Sequence, residues 1–356
     1  SGDLADIGTR SDGGVRSRGF VYRINNDHAF LWENEPNGYL GGYWMTPYTL
    51  DFTKIADIDT KNMTISGANG TGLGAYENAR YRALNMLCEL DSEGEWYIED
   101  GIFYAYLPEN CEKVYLSFKG NGIFRTDGAS DIIFKNIAFK NCMGTAVAFS
   151  GNSARCAVIG GSIKNTSGYG AAIGGEECFV RDADISYTGG IGIVVTGGNE
   201  YILKHGGNYA ENNTVTKTGR SMSIKTAISV AGCGNRISNN HIYDVPTQGI
   251  TASGMENIIE KNIIERTNLE MGDTGGIYFL NYGMGYGSKI RYNIVKDSVG
   301  IAEQPGFSTE GALGIYLDDL TSGVEVTGNI IYNVREPALF GHGGRNLTFN
   351  NNVIIN

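Results

Sequence analysis

Three aspartates and two tyrosines, in two similar segments, are the residues of this sequence best suited to chemistry. The segment GDTGGIY contains Asp273 and Tyr278, and the segment GIYLDD contains Tyr316, Asp318 and Asp319. Two carboxyl groups can divide acid and base work when one stays protonated and the other ionised. Aromatic rings beside carboxylates are typical of sugar-binding surfaces. The two segments lie about 45 positions apart, so this chemistry depends on a fold that brings them together.

A short repeat, found nine times from about residue 131 onward, indicates such a fold. Each copy reads as an aliphatic residue, two variable residues, usually Asn, one variable residue and a second aliphatic residue. The fourth positions of the copies are 136, 161, 183, 213, 240, 262, 293, 329 and 352. β-Branched residues at alternate positions indicate strands, and a period in the low twenties with irregular insertions is typical of a solenoid.

A second strand, led by glycine, lies between the copies in segments such as GIGIVVTG and LGIYLDDL. No window has sustained helical periodicity, and a propeller blade would need about 40 residues in four antiparallel strands. We therefore predict an all-β fold, a right-handed parallel β-helix of the pectate-lyase-like type, over residues 112–356 and truncated at both ends. Its aliphatic residues would form inward ladders, while each Asn would take a left-handed turn conformation and bond to the next Asn.

Residues 1–111 lack the repeat and contain all three tryptophans. Within them, the tract WYIEDGIFYAYL is typical of a hairpin, with strands on either side of the turn EDG. We predict that residues 1–111 form a β-rich N-terminal embellishment that packs on the first coils.

The outer face of the solenoid is where a site must lie, because a parallel β-helix fills its interior with side chains. Aligned second strands place Ser253, Leu280, Asp318 and His342 in one column, beside a column of Tyr278, Tyr316 and Phe340. If Ile315 points inward, strand alternation turns Tyr316 and Asp318 outward. Neighbouring coils are about 4.8 Å apart, so Asp273 and Asp318 could reach the roughly 5–9.5 Å separation that glycoside hydrolysis uses.

The predicted site therefore combines acids, rings and flanking polar groups. We predict that the catalytic residues are Asp273, Asp318 and Asp319, and that substrate is bound by Tyr278, Tyr316, His342, Glu303 and Arg345. Glu303 belongs to the long insertion IAEQPGFSTEGA, which could fold over the site. Structural roles stay open for the same residues, because acids and His342 can close turns and the tyrosines can stack on each other.

Composition narrows the choice of partner. The net charge is −11 with no Lys/Arg run, which argues against nucleic acid. No apolar stretch approaches the roughly 18 residues of a membrane helix. The six cysteines form no CxxC pair and have no metal-ligand spacing with the four histidines. We expect an oligosaccharide or polysaccharide partner, no nucleic acid, no membrane, no metal and no cofactor, with Ca²⁺ as the alternative.

Several tracts resemble a known enzyme group. These tracts are VAGCGNRISNNHIYDVPTQGI, GDTGGIY, LGIYLDDLTSGVEVTGNIIYNV and FGHGGRNLTFNNNVI. They are similar to tracts of the β-helix carbohydrate-active enzymes of bacteria. The similarity is greatest to glycoside hydrolase family 141 and more distant to the family 120 β-xylosidases. The resemblance covers most of the chain. It implies a secreted or periplasmic glycosidase of plant cell-wall glycan, fucosidase-like or xylosidase-like. Its acids would correspond to Asp273 and to Asp318 or Asp319.

Two other functions use the same fold. A polysaccharide lyase or uronate epimerase needs basic residues, which the tract 290–345 offers as Arg291, Lys296, Arg335 and Arg345, although no strand column clusters them. A carbohydrate-binding or adhesion β-helix would keep the aromatic residues and need no acid pair. We expect a glycosidase, with these two as alternatives.

Overall fold

The protein is described by a computed structural model. It covers residues 4–5, 21–23, 27–35, 37–68, 79–118, 120–221, 226–301 and 311–355. These residues form strands, turns and two short 3₁₀ helices, Asp27–Asn34 and Leu87–Glu89. No helix among them is long and apolar enough to span a membrane. The chain divides into a first unit that contains Ser1–Tyr115 and a second unit of Leu116–Ile301 and Thr309–Asn356.

The first unit is built on a six-stranded antiparallel sheet. In spatial order its strands are Leu4–Ala5, Val21–Arg23, Thr64–Gly67, Asp51–Asp59, Tyr39–Tyr43 and Arg80–Leu84. Tyr22, Leu40 and Trp44 are among its buried core residues. The expected hairpin is present, with strands Trp96–Glu99 and Ile102–Ala105 paired antiparallel.

The second unit is a stack of three parallel sheets with nine strands each. Sheet A contains Ile133–Lys135, Ala157–Ile159, Phe179–Arg181, Tyr209–Glu211, Arg236–Ser238, Ile258–Glu260, Lys289–Arg291, Glu325–Thr327 and Thr348–Asn350. Sheet B contains Ala138–Cys142, Ser162–Thr166, Asp184–Thr188, Thr214–Thr216, His241–Tyr243, Ile263–Glu265, Ile294–Lys296, Ile330–Tyr332 and Val353–Ile355. Sheet C contains Phe124–Asp127, Val147–Ser150, Ala171–Ile173, Ile193–Gly197, Ile228–Gly232, Ile250–Ala252, Thr274–Leu280, Ala312–Asp318 and Leu339–Gly341.

This arrangement confirms the predicted parallel β-helix. The first aliphatic position of the repeat lies in sheet A and the last in sheet B, while the glycine-led strand lies in sheet C. Ile237, Ile242 and Ile250 occupy these three positions in one stretch of chain, and all three are fully buried. Each coil therefore has three strands, of which the repeat covers two.

The asparagine ladder is also present. Side-chain amide bonds of 2.9–3.0 Å join Asn213, Asn240, Asn262, Asn293, Asn329 and Asn352 in sequence. Each amide in the middle of the ladder also donates to a main-chain carbonyl, as Asn262 does to Ile237 at 3.0 Å. The ladder thereby provides hydrogen-bond partners within the protein for the buried polar groups of the turn between sheets A and B.

Two details of the repeat differ from the sequence prediction. The left-handed residue is the one before the ladder position, as at Asn239 (φ 56°) and Lys261 (φ 58°). In the first copy, Phe134 rather than Ile133 pairs with Val158, so Ile137 rather than Asn136 takes the ladder position. The error arises because a tract of consecutive apolar residues fits two strand registers, and only stacking on the next coil selects one.

Removing one ladder amide should be costly. For Asn262→Ala we expect the free energy of unfolding to fall by about 3 kcal/mol or more, because the four hydrogen bonds of the side-chain amide are lost and their partners stay buried. Urea denaturation measures the change. The exposed neighbour Asn239, replaced by Gly to keep its left-handed backbone, is the control and should change little. A loss below about 1 kcal/mol in Asn262→Ala would mean that the amide is not needed.

Candidate active site

Two neighbouring strands of sheet C position the predicted site residues. Thr274–Leu280 and Ala312–Asp318 are the longest strands of that sheet, and they pair with Tyr278 beside Tyr316 and Leu280 beside Asp318. Ile315 and Leu317 are fully buried in the interior. Strand alternation therefore turns Tyr316 and Asp318 to the outer face.

Asp318 is the most heavily bonded carboxylate of the group. The Tyr278 hydroxyl donates to its Oδ2 at 2.6 Å. On the other side, His342 Nδ1 lies 2.8 Å from Oδ1, and the Asp319 main-chain N–H donates to the same oxygen at 2.7 Å. Asp319 itself follows the strand with a left-handed φ of 41°. The partners come from two neighbouring coils and fix the orientation of Asp318.

Asp273 approaches the same place from the start of the preceding strand. Its main-chain N–H donates to the Gly311 carbonyl at 3.2 Å. Nearby, Gly275 allows close approach to Tyr316, because a Cβ at this glycine would lie 3.2 Å from the Tyr316 Cβ and 2.8 Å from a carbonyl oxygen. The Tyr316 hydroxyl lies near the carboxyl groups of both Asp273 and Asp318, and its interaction with each of them opposes the rise in pKa that burial causes. One hydroxyl is thus a neighbour of both acids.

The two carboxyl groups have opposite protonation preferences. Burial raises the pKa of Asp273 above its usual value, and the negative charge of Asp318 raises it further. Burial would also raise the pKa of Asp318, but hydrogen bonds from Tyr278, His342 and the Asp319 N–H outweigh it and hold that pKa below its usual value. The hydrogen bond to Asp318 raises the pKa of His342. The pair is therefore suited to hold one acid and one carboxylate at the same pH.

The aromatic column differs from the sugar-stacking surface that the sequence suggests. Tyr278 and Tyr316 pack edge to face, with ring centroids 5.3 Å apart, and Tyr316 is only 4% exposed. The face of Tyr316 is therefore not open to a ligand, and its hydroxyl is the part that reaches the acids. Phe340 is 39% exposed and stacks on His342 at 6.0 Å. The alignment of the strands in the sequence already placed Phe340 in the aromatic column, although the predicted site did not include this residue.

The other two predicted binding residues are Glu303 and Arg345. Glu303 lies outside the described residues. Arg345 lies on the turn after His342, where its carbonyl accepts from Gly323 and its N–H donates to the Ser322 hydroxyl at 3.1 Å. Its side chain is exposed. The structure thus brings together Asp273, Tyr278, Tyr316, Asp318, Asp319 and His342.

These groups also offer ligands for a divalent cation. Asp318, Asp319 and His342 offer ligand atoms that all lie within 4.8 Å of one another. Ca²⁺ prefers six to eight oxygen ligands, whereas this set offers two carboxylates and an imidazole. Both oxygens of Asp318 already accept hydrogen bonds. The arrangement fits an acid pair supported by hydrogen bonds better than it fits a calcium cage.

Comparison with known proteins agrees with the architecture. The family model described as a right handed beta helix region matches residues 201–356. The second unit is a right-handed parallel β-helix. A solved structure described as a glycoside hydrolase aligns to the chain with a TM-score of 0.64 and 13% identity, over 99% of this chain and 75% of the other. At this identity, the likeness to that structure concerns the fold alone.

Two further solved structures align more weakly with the chain. The pectate lyase Pel9A has a TM-score of 0.42 and 15% identity, over 62% of this chain and 58% of its own. A tailspike of Acinetobacter baumannii bacteriophage AP22, solved with a capsular saccharide, has a TM-score of 0.27 and 12% identity, over 100% of this chain and 62% of its own. A search of curated proteins finds no significant match.

Proposed function

We propose that this protein is a glycoside hydrolase that cleaves plant cell-wall or related glycans, with fucosidase-like or xylosidase-like specificity. The observation that carries the proposal is the pair of neighbouring carboxyl groups whose charges interact and whose pKa values shift in opposite directions, that of Asp273 raised and that of Asp318 lowered. Such a pair is what glycoside hydrolysis requires, since one group must donate a proton while the other acts as a carboxylate. A polymeric substrate of this kind would place the enzyme outside the cytoplasm, secreted or periplasmic.

In the proposed mechanism, Asp273 is the general acid. It gives its proton to the glycosidic oxygen as the bond from that oxygen to the anomeric carbon breaks. Asp318 supports the positive charge that develops on the sugar, either by attacking the anomeric carbon or by taking a proton from the attacking water. The configuration of the first sugar released, read by proton NMR, distinguishes these two routes.

The surrounding groups have positioning roles in this proposal. Tyr278 and His342 hold the Asp318 carboxylate by its two oxygens. A charged His342 stabilises that carboxylate, which matches the raised pKa of the imidazole. Phe340 offers an exposed ring beside His342 on which a sugar can stack. Asp319 supplies its N–H to Asp318, so its main chain matters more than its carboxyl group.

The basic residues of the tract 290–345 favour elimination chemistry less than the acid pair favours hydrolysis. The Arg291 guanidinium lies 2.8 Å from Glu260, and the Lys296 ammonium lies 2.6 Å from Glu265. Both cations are therefore neutralised on the faces of sheets A and B. A lyase needs such cations beside a uronate to stabilise the carbanion that forms when the proton is removed.

The test is incubation of the chain with neutral and uronic-acid glycans, followed by product analysis. Release of reducing sugars without ultraviolet absorbance is the expected result. Unsaturated uronide absorbance would favour the lyase alternative, because only elimination creates the double bond. Glycan binding without any product, seen by affinity electrophoresis, would favour the adhesion alternative. Either of these two outcomes would overturn the proposal.

The pH profile should respond to Tyr278. Activity requires ionised Asp318, so it appears as pH rises through the lowered pKa of Asp318, and it requires protonated Asp273, so it disappears as pH rises through the raised pKa of Asp273. Tyr278→Phe removes a hydrogen bond to the charged form, worth about 1.5–3 kcal/mol. We expect the acidic limb of kcat/KM to move to higher pH.

The alkaline limb should move less in Tyr278→Phe, because in the described part of the chain no hydrogen bond joins Tyr278 to Asp273. The exposed Tyr292, replaced by Phe, is the control and should keep the full profile of the wild type. An unchanged acidic limb in Tyr278→Phe would separate Asp318 from catalysis.

A further inference from the structure

A second cluster of reactive side chains lies on the three coils that directly precede those of the candidate active site, in turns that follow consecutive strands of sheet C. His205 follows the strand Ile193–Gly197, Cys233 follows Ile228–Gly232, and Glu256 follows Ile250–Ala252. Backbone pairing fixes these turns together, since Gly206 donates to the Cys233 carbonyl at 2.8 Å and Gly234 to the Met255 carbonyl at 3.1 Å. The three side chains thus stack from coil to coil.

The geometry of this cluster is compact. The His205 ring nitrogen, the Cys233 sulfur and a Glu256 carboxylate oxygen all lie within 4.8 Å of one another. His205 Nε2 hydrogen-bonds directly to Glu256 Oε2. Gly234 has a left-handed φ of 67°, and a Cβ at this position would overlap the His205 ring. The glycine therefore leaves the space in which the imidazole lies over Cys233.

The chemistry of these donors favours one class of ligand. A thiolate, an imidazole and a carboxylate are all ligands of Zn²⁺, whereas a thiolate is a poor ligand for Ca²⁺ or Mg²⁺. Three protein ligands leave a fourth, open position of a tetrahedral site for water. We propose that His205, Cys233 and Glu256 bind a zinc ion that ties three consecutive coils together.

The surroundings suit a cation. Glu200 and Glu256 both place negative charge near Cys233. His205 is 60% exposed, and it forms one wall of a cleft of about 280 Å³ that also includes Glu176 and Lys204, which gives a path from solvent. Cys233 is fully buried beneath it. Binding would release the thiol proton to solvent and would replace the hydrogen bond between His205 and Glu256 with two metal bonds.

The experiment uses Co²⁺ as a spectroscopic substitute for Zn²⁺ with the full chain under reducing conditions. We expect one equivalent of Co²⁺ to produce a near-ultraviolet thiolate-to-cobalt charge-transfer band, and Zn²⁺ to abolish this band by displacement. Cys233→Ser should lose the band. His205→Asn and Glu256→Gln should weaken metal binding by about tenfold or more.

The controls separate this site from other metal-binding groups. Cys178→Ser changes another buried cysteine, and His28→Asn changes another histidine that lies 2.7 Å from a glutamate. Both should keep the band and the affinity of the wild type. The cluster of Asp318, Asp319 and His342 contains no thiol, so metal bound there cannot produce the band.

Three results would overturn the zinc proposal. They are the absence of a charge-transfer band at stoichiometric Co²⁺, a band that persists in Cys233→Ser, and unchanged affinity in His205→Asn. The last variant replaces an exposed side chain, so it keeps the test decisive if Cys233→Ser fails to fold. Glycan cleavage plays no part in these readouts, so failure here and failure of the proposed hydrolase are independent.

Discussion

Replacing Asp318 by Asn is expected to lower kcat/KM for glycan cleavage by about 10³- to 10⁴-fold. The amide keeps the shape of the side chain but loses the negative charge that would face the developing positive charge on the sugar. It also cannot accept a proton or attack the anomeric carbon. The loss should therefore be similar for every leaving group, which steady-state kinetics on aryl glycosides and on natural glycans can measure.

The fold of this variant should persist, because Ile315 and Leu317 on the same strand remain in the interior. Circular dichroism and the unfolding midpoint check this. A matched control is Asp184→Asn, which changes an exposed aspartate of sheet B and should keep full activity. Asp319→Asn separates the two adjacent acids, and we expect it to lose much less activity than Asp318→Asn. Full activity in Asp318→Asn would leave the hydrolase proposal without its carboxylate.

Replacing Asp273 by Asn should produce a loss that depends on the leaving group. A natural sugar or alkoxide leaving group needs protonation, so we expect kcat/KM to fall by about 10²- to 10⁴-fold. A nitrophenolate leaving group is stable without a proton, so activity on nitrophenyl glycosides should fall far less. The alkaline limb of the pH profile should also disappear, since it reports the loss of the proton from Asp273.

The comparison of the two aspartate variants tests the assignment of roles. If Asp318→Asn shows the leaving-group dependence and Asp273→Asn does not, then the acid and the carboxylate are exchanged. If Asp273→Asn keeps full activity on natural glycans, Asp273 is only a turn residue before Gly275. That structural role was open from the sequence, and its left-handed φ of 47° is compatible with it.

The columns of the solenoid could be predicted well from the sequence. Aligning Ile250, Ile277, Ile315 and Leu339 gave the register that sheet C has. That alignment also placed Tyr278, Tyr316 and Phe340 in one column, and Asp318 beside His342. The prediction succeeded because a parallel stack repeats the same backbone pairing in every coil, so one aligned residue fixes its neighbours.

Other features could not be read from the pattern. The exposure of Tyr316 depends on rings above and below it, and these bury it between Tyr278 and Phe340. The cluster of His205, Cys233 and Glu256 has spacings of 28 and 23 residues, which match coil lengths and no local metal motif. The signal for this cluster in the sequence is the recurrence of metal-ligating residue types at the spacing of one coil, rather than at the short spacing of a local motif.

The sequence by itself determined the β-helix, the asparagine ladder and the alternation that turns Asp318 outward. These depend on contacts between equivalent positions of neighbouring coils, which a periodic pattern records. Only the tertiary structure decided that the Tyr316 hydroxyl lies near both Asp273 and Asp318 and that the pKa values of the two carboxyl groups shift in opposite directions. These depend on the close approach at Gly275, on burial and on hydrogen bonds, and the interactions between side chains that create them have no period along the chain.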